Sequence, residues 1–126
     1  MNENELSKII VQSAIEVHKT LGGCGLLENV YEEALVYELL SKSLIVERQK
    51  DVLISYKGQT LASPLRLDLL VEKIVIVEVK AVTNYNSIFE SQVLTYLRLM
   101  NLKLGLVMNF GAKRVSDGVH RVVNGL

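Results

Sequence analysis

The first forty residues carry an apolar pattern with helical spacing. Over residues 5–21 one helical face holds the following side chains: Leu6, Ile9, Ile10, Ser13, Val17 and Leu21. The segment Gly22-Gly23-Cys24-Gly25 interrupts this pattern. Residues 27–41 then predict a second helix, with a stripe formed by Glu28, Tyr31, Leu35 and Leu39. The chain is therefore predicted to begin with two helices joined by a glycine-rich turn.

After Ser43 the pattern changes to short apolar runs that are typical of strands. We predict strands at residues 45–47, 52–56, 65–71, 74–81, 104–110 and 119–123. Turns are predicted at residues 57–59 and 117–118. The spacing of Ser87 and Glu90 fits a capping box, which predicts a third helix from there to about Met100. This order predicts an α/β protein (an α+β mixed sheet), with a central mixed β-sheet flanked by helices.

Length and cysteine content narrow the class of protein. A chain of 126 residues suits a single domain, residues 1–126, with a core of its own. The single cysteine, Cys24, excludes an internal disulfide and fits a reducing compartment. We see no secretory signal and no apolar stretch near the ~18 residues of a membrane span. We therefore expect a cytoplasmic protein with no membrane partner.

The charge balance limits any nucleic-acid function. Lys plus Arg and Asp plus Glu each number 14, which gives a formal net charge of 0. Because phosphate binding draws on Lys and Arg, a protein of this composition that acts on nucleic acid needs a local basic patch, a metal ion or a partner. Candidate phosphate contacts are Arg48, Lys50, Lys57, Lys113, Arg114 and Arg121. Near-zero charge and small size are also compatible with a homo-oligomer.

Charged side chains interrupt the two most apolar strands. Along residues 74–81, alternation places Glu78 and Lys80 side by side on one face. Asp68 is a lone carboxylate among aliphatic residues, where burial without a partner is costly. A hairpin that pairs Val71 with Ile74 would separate the two carboxylates, whereas pairing Val71 with Val75 sets Asp68 opposite Glu78. We predict this second register, or another of the same parity.

Two facing carboxylates repel each other, and a bound Mg²⁺ or Mn²⁺ would turn that repulsion into coordination. Such a cation polarises a scissile phosphate and activates water, while Lys80 can orient that water or stabilise developing charge. The alternative is a plain α/β domain with two salt bridges, one between Glu78 and Lys80 and one between Asp68 and Arg66.

Two motifs resemble a known family. Asp68 followed by Glu78-Val79-Lys80 is similar to the signature of the PD-(D/E)XK nuclease superfamily, although Leu67 stands where its name has proline. The segment Gly25-Leu26-Leu27-Glu28-Asn29-Val30-Tyr31 resembles the motif of its GxxExxY protein family. The resemblance extends over nearly the whole chain. It implies a restriction-endonuclease-like core.

The resemblance also implies roles for individual residues. Asp68 and Glu78 would be metal ligands, Lys80 the catalytic lysine, and Glu28 a further acidic ligand from the second helix. The residues implied to bind substrate are Gln92, Tyr96, Tyr31 and Arg48. His18 is interpreted as a helix-packing residue, with a supporting role behind Glu28 as the alternative.

These observations lead to two hypotheses. The first is a nuclease that uses Mg²⁺ or Mn²⁺ to hydrolyse phosphodiester bonds, with DNA favoured as the nucleic-acid substrate. The second is a catalytically silent nucleic-acid-binding or protein-interaction module on the same fold.

Overall fold

A computed structural model describes residues 1–126. The helices are α1 (Glu3–Thr20), α2 (Glu28–Ser41) and α3 (Ile88–Met100). The strands are β1 (Val46–Val52), β2 (Ser55–Tyr56), β3 (Gln59–Thr60), β4 (Leu65–Val71), β5 (Val75–Lys80), β6 (Leu104–Asn109) and β7 (Val119–Val123). A short 3₁₀ helix covers Val115–Gly118, where the sequence predicts a turn.

The main sheet has five strands in the order β1-β4-β5-β6-β7. Only β5 and β6 run parallel, and α3 forms the crossover between them. The other neighbours pair antiparallel. The predicted mixed sheet with flanking helices is therefore confirmed. Because β5 and β6 are parallel, Lys80 and Asn109 end their strands side by side at one edge.

Helices cover both faces of the sheet and create two cores. On one face, α1 and α2 pack on β4, β5 and β6 through side chains such as Ile10, Leu35 and Val77. On the other face, α3 packs Val93 and Leu97 against the sheet. A fully buried aliphatic side chain contributes roughly 1.5–3 kcal/mol, so these two cores dominate the folding energy. The predicted face of α1 is confirmed except at its end, where the next residue, Leu21, is exposed.

The prediction of separate strands at residues 45–47 and 52–56 is wrong. One continuous strand, β1, runs through this region and pairs with β4 at the edge of the main sheet. Its residues are all half-buried or exposed, so the polar side chains at 47–51 hide the strand from a hydrophobic pattern. The next strand, β2, pairs with β3 through a Lys57-Gly58 turn, in which both residues have positive φ.

The capping box predicted at the start of α3 is also wrong. Ser87 already has helical angles and its side chain makes no cap bond. The amide of Ile88 donates instead to Asn86 Oδ1 at 2.9 Å, so the residue before the predicted cap satisfies the helix start.

The predicted register between β4 and β5 is confirmed, since Val71 pairs with Val75. Glu72 and Lys73 both adopt positive φ in this turn, although neither is glycine. Bonds to residue 45 offset the strain: its amide donates to Glu72 Oε2 at 2.6 Å, and its carbonyl accepts from the Glu72 amide at 2.8 Å.

Candidate active site

Strands β4 and β5 separate where their two acidic residues face each other. The last backbone pair is Leu69 with Val77, so Asp68 and Glu78 occupy the next position of the same register. The Asp68 amide donates to Glu78 Oε2 at 3.2 Å, and the Val79 amide donates to Asp68 Oδ2 at 2.8 Å. Each carboxylate thus accepts a hydrogen bond from a backbone amide of the opposite strand.

The alternation of side chains along β4 breaks at the same point. Leu67 and Leu69 are two residues apart, yet Leu67 packs in the α3 core and Leu69 in the α1–α2 core. A regular strand would place both on one face. The break at Asp68 therefore opens the sheet between β4 and β5.

Glu78 is a buried acidic residue, with only 7% of its surface exposed. Burial is the main cause that raises the pKa of its carboxyl to about 9, and the adjacent Asp68 carboxylate raises it further. Lys80 acts in the opposite direction but does not cancel this effect. Glu78 Oε2 accepts the Asp68 amide, and no Lys or Arg side chain forms an ion pair with the carboxylate. Because no protein cation compensates a negative charge there, the Glu78 carboxyl keeps its proton at neutral pH in the metal-free protein.

An open cavity of about 480 Å³ lies between this point and the first turn of α2. We call it the acidic cavity; its lining residues are Leu27, Glu28, Asn29, Glu32, Gln49, Asp68 and Val79. Glu28 is exposed, which corrects its predicted place on the buried stripe of α2. It precedes the buried part of the helix, which begins at Tyr31, and reaches the end of the sheet. Partial burial raises its pKa; Lys80 opposes this, and Asp68 adds to it.

Glu32 and Gln49 belong to the site and were not predicted. Glu32 is buried, and its carboxylate accepts from Gln49 Nε2 at 2.8 Å and from Arg48 at 3.4 Å. Gln49 also lies 3.4 Å from Asp68 Oδ1, so it links the two acidic side chains. Burial raises the pKa of Glu32, and the bond from Gln49 opposes that rise. The available signal was the position of Glu32, one helical turn after Glu28.

Lys80 takes an unexpected orientation. Its ammonium lies 4.5 Å from the centroid of the Phe89 ring, at the start of α3, and forms no ion pair. Arg66 pairs with Asp51 at 2.9 Å and not with Asp68. Neither salt bridge of the plain α/β alternative is present, so those pairings do not explain the acidic residues.

The two substrate candidates on α3 differ in their surroundings. Tyr96 is half-buried, and burial followed by the charges of Glu78 and Asp68 raises the pKa of its phenol. The Tyr96 hydroxyl group therefore lies close enough to Asp68 and Glu78 for their charges to act on it. Gln92 lies one turn earlier and is exposed.

Tyr31 and His18 are both buried and hold backbone segments. The Tyr31 hydroxyl donates to the Gly23 carbonyl at 2.7 Å and accepts from the Leu26 amide at 3.1 Å. The Val115 amide donates to His18 Nδ1, so Nε2 carries the ring proton and donates to the Phe110 carbonyl at 3.0 Å. Both ring nitrogens are therefore occupied by backbone groups.

Asn109 holds the segment that follows Lys80. Its Oδ1 accepts from the amides of Val82 and Gly111, and its Nδ2 donates to the Val82 carbonyl, each at 3.0 Å. A Cβ on Gly111 would lie 2.3 Å from that carbonyl. Only glycine allows β6 and the chain after β5 to approach this closely.

The donor set can be compared with the needs of different metals. No group of three His, Cys, Asp or Glu side chains is arranged to hold a metal ion. A structural zinc site, which is closed by four protein ligands, therefore does not fit. Asp68 and Glu78 do fit Mg²⁺, because this ion is usually held by one or two carboxylates together with water and substrate phosphates.

Comparison with known proteins agrees with this geometry. A family model described as the PD-(D/E)XK nuclease superfamily matches residues 4–122. The chain belongs to the PD-(D/E)XK nuclease superfamily. Comparisons with curated proteins and with solved structures give no significant match. The five-stranded mixed sheet fits the restriction-endonuclease-like fold of PD-(D/E)XK proteins.

Membership in the PD-(D/E)XK superfamily supports a nuclease-like function and a nucleic-acid substrate. PD-(D/E)XK nucleases generally use divalent metal ions. No helix of the structure has the length and apolar character needed to cross a membrane.

Proposed function

We propose that this protein is a nuclease that uses Mg²⁺ or Mn²⁺ to hydrolyse phosphodiester bonds, with DNA as the favoured substrate. The observation that carries the proposal is the pair of carboxylates, Asp68 and Glu78, at an opening of the sheet with no cation paired to either. Such an arrangement is costly in a folded protein and becomes favourable when a hard cation binds.

In this proposal Asp68 and Glu78 hold the metal, and Glu28 is a third ligand that approaches from α2. The lack of any cation paired with Glu78 and the contact of Asp68 with the acidic cavity support these roles. When bound, the cation polarises the scissile phosphate and lowers the pKa of a coordinated water. Bonds from Gln49 and the Val79 amide fix the Asp68 carboxylate before any ligand arrives.

Lys80 is the proposed catalytic lysine. Its side chain starts from the same strand as Glu78, two residues further on, so rotation away from the Phe89 ring would bring its ammonium toward the substrate phosphate. There it stabilises the negative charge that develops during attack and orients the water nucleophile.

The proposed substrate contacts surround the acidic residues. Tyr96 and Gln92 come from α3, and Arg48 comes from β1, where its pairing with Glu32 leaves it exposed. Tyr31 and His18 act through the backbone segments that they hold.

We further propose membership in the GxxExxY family within the superfamily. Three parts of the motif support it: Gly25 has a φ of 111°, Glu28 lines the acidic cavity, and Tyr31 holds the preceding loop. Each motif residue thus has a distinct physical task in this chain.

Cleavage of labelled single- and double-stranded DNA and RNA tests the proposal. We expect cleavage with Mg²⁺ or Mn²⁺, none in EDTA, and a loss of at least roughly a hundredfold in Asp68→Asn and Lys80→Ala. The matched control is Asp51→Asn, which removes an exposed carboxylate paired with Arg66 on the same sheet and should leave the rate unchanged. Equal rates in Asp68→Asn and wild type would exclude the assignment.

A second candidate is a catalytically silent nucleic-acid-binding or protein-interaction module. It is favoured by the absence of a complete three-residue metal cluster and by the orientation of Lys80 toward Phe89. This second candidate predicts that the protein binds nucleic acid or another protein in EDTA, and that added divalent metal does not strengthen the binding.

The organisation of the chain is a proposal of its own. We propose that residues 1–126 act as one domain in the cytoplasm, supported by the shared sheet and the single free Cys24. A homo-oligomer is tested by light scattering of the purified protein.

A further inference from the structure

A second cavity, of about 410 Å³, carries the opposite charge. It lies between the end of α1, Gly22-Gly23 and residues 113–116, and we call it the basic pocket. Three exposed cations line it, Lys19, Lys113 and Arg114, and no acidic residue does. Arg114 has an exposed partner in Asp117, and the two lysines have no ion pair. The neutral net charge of the chain therefore conceals a local positive site.

The basic pocket is held in shape by buried side chains. His18 bonds the Phe110 carbonyl and the Val115 amide, and so fixes both ends of the loop that carries Lys113 and Arg114. The Tyr31 ring stacks on Phe110 with centroids 4.7 Å apart. Its hydroxyl group bonds the Gly23 carbonyl on the other wall of the basic pocket. The cations are thus presented by a preorganised frame.

The basic pocket and the acidic cavity are joined along one segment of the chain. Gly22 and Gly23 line the basic pocket, residues 24–26 line an intervening cavity, and residues 27–29 line the acidic cavity. The intervening cavity is closed on its other side by residues 81–83, directly after Lys80, and by Gly111. The three cavities therefore follow one another past the carboxyl ends of strands β5 and β6.

The distance along this edge suits a nucleic-acid strand. The chain from Gly22 to Glu28 spans at most roughly 20 Å, since each extended residue covers about 3.3–3.6 Å. The phosphates of one strand repeat every ~3.4 Å along the axis of duplex DNA, so the basic pocket is within about six nucleotides of Glu28 in the acidic cavity.

We propose that the basic pocket binds a backbone phosphate of the same nucleic-acid strand that enters the acidic cavity. This rests on the proposed nucleic-acid substrate and assigns the phosphate contacts to Lys19, Lys113 and Arg114. The acidic residues repel a polyanion until metal binds, and the basic pocket supplies the attraction that retains the strand.

The test measures binding of a fluorescent twelve-nucleotide single strand, and of its duplex, by anisotropy in EDTA, where no cleavage occurs. The variant carries Lys19→Gln, Lys113→Gln and Arg114→Gln. The matched control carries Lys8→Gln, Lys73→Gln and Lys103→Gln, which are also exposed and lie early in α1 and just before β5 and β6. Both variants lower the formal charge by three, so a general loss of charge affects them equally.

We expect the basic-pocket variant to bind at least roughly tenfold more weakly. Its plot of log affinity against log salt should be shallower by roughly 0.7–0.9, since the basic-pocket variant loses one phosphate contact. The control should stay within about threefold of wild type. In cleavage assays the basic-pocket variant should raise KM and leave kcat unchanged, because these residues do not touch the reacting phosphate.

Equal weakening in the two triple variants, or none in the basic-pocket variant, would overturn the inference and leave the proposed nuclease intact. Absence of any nucleic-acid binding by wild type would also overturn it. If inorganic phosphate binds the basic pocket without competing with DNA, the site recognises a small anion and the inference fails. Loss of cleavage in Asp68→Asn with normal binding would instead support the two sites as separate functions.

Discussion

At the scale of single residues, catalytic candidates also carry structural hydrogen bonds. Asp68 and Glu78 each accept a hydrogen bond from a backbone amide of the opposite strand. An isosteric amide can keep such a bond and lose the charge, whereas alanine loses both. Asn and Gln are therefore the substitutions that separate catalysis from folding.

Glu78 should make the metal-free protein less stable as the pH rises. Its pKa is raised from 4.5 to about 9 in the folded state, so between these values the folded protein binds more protons than the unfolded chain. The contribution of the Glu78 proton to the free energy of unfolding is fully present below about pH 4.5 and is lost progressively toward pH 9. Urea unfolding in EDTA should show a slope approaching about 1.4 kcal/mol per pH unit from this group.

Glu78→Gln serves as the control for that measurement, since its side chain does not titrate. The slope should be smaller in Glu78→Gln than in wild type across the same range. Identical pH profiles for the two proteins would show that Glu78 titrates normally.

Phe89 should determine where Lys80 rests. In Phe89→Leu the ammonium loses the ring contact, which must otherwise break before Lys80 reaches the phosphate. A cation–π contact is worth about 0.5–2 kcal/mol, so kcat should rise by at most roughly two- to thirtyfold. We also expect loss of the ring-current shift on the Lys80 ε-methylene in NMR spectra. Phe89→Tyr should restore both, whereas an unchanged NMR signal in Phe89→Leu would refute the contact.

At the scale of secondary-structure elements, the sequence was informative where two charged residues had to face each other. The choice of the pairing that sets Asp68 opposite Glu78 predicted the β4–β5 register correctly. It could not predict that the ladder opens beyond Leu69 and Val77, because that depends on carboxylates accepting backbone bonds.

The missed parts of the site depend on contacts between distant segments. Glu32 lies in α2 and accepts a hydrogen bond from Gln49, which lies in β1. The backbone of Gln49 has a positive φ of 51°. Apolar periodicity carries no information about a polar side chain at such a position. The contact of Lys80 with Phe89 likewise requires α3 to begin beside the end of β5.

Gly111→Ala should disturb the junction of β5 and β6. The added methyl would meet the Val82 backbone, and relief of such overpacking typically costs about 1–3 kcal/mol. Because Val82 follows Lys80 by two residues, we also expect reduced cleavage. Chemical denaturation and the cleavage assay measure the two effects.

Gly58→Ala is the matched control for Gly111→Ala. Gly58 has a positive φ and open space around it in the β2–β3 turn, far along the chain from β5 and β6. It should lower stability by about 1 kcal/mol through backbone strain and leave cleavage unchanged. Equal losses of cleavage activity in both variants would show that the β5–β6 junction has no special role in cleavage.

At the scale of the whole molecule, metal binding should stabilise the fold. A ligand that binds only the native state at about ten times its Kd adds about 1.4 kcal/mol, or roughly 4 °C in Tm for a chain of this size. Mg²⁺ or Mn²⁺ should therefore raise Tm in wild type and in Asp51→Asn, and not in Asp68→Asn. A shift retained in Asp68→Asn would place the metal elsewhere.

The carboxylate-to-backbone bonds at residues 68 and 78 have a consequence for comparing descendants of this protein. A lineage that abandoned cleavage would still need hydrogen-bond acceptors at both positions to close the gap between β4 and β5. Purifying selection for folding alone would thus preserve Asp or Asn at 68 and Glu or Gln at 78. Lys80 makes no such bond, so drift at that position is the earlier genetic sign that cleavage has been lost.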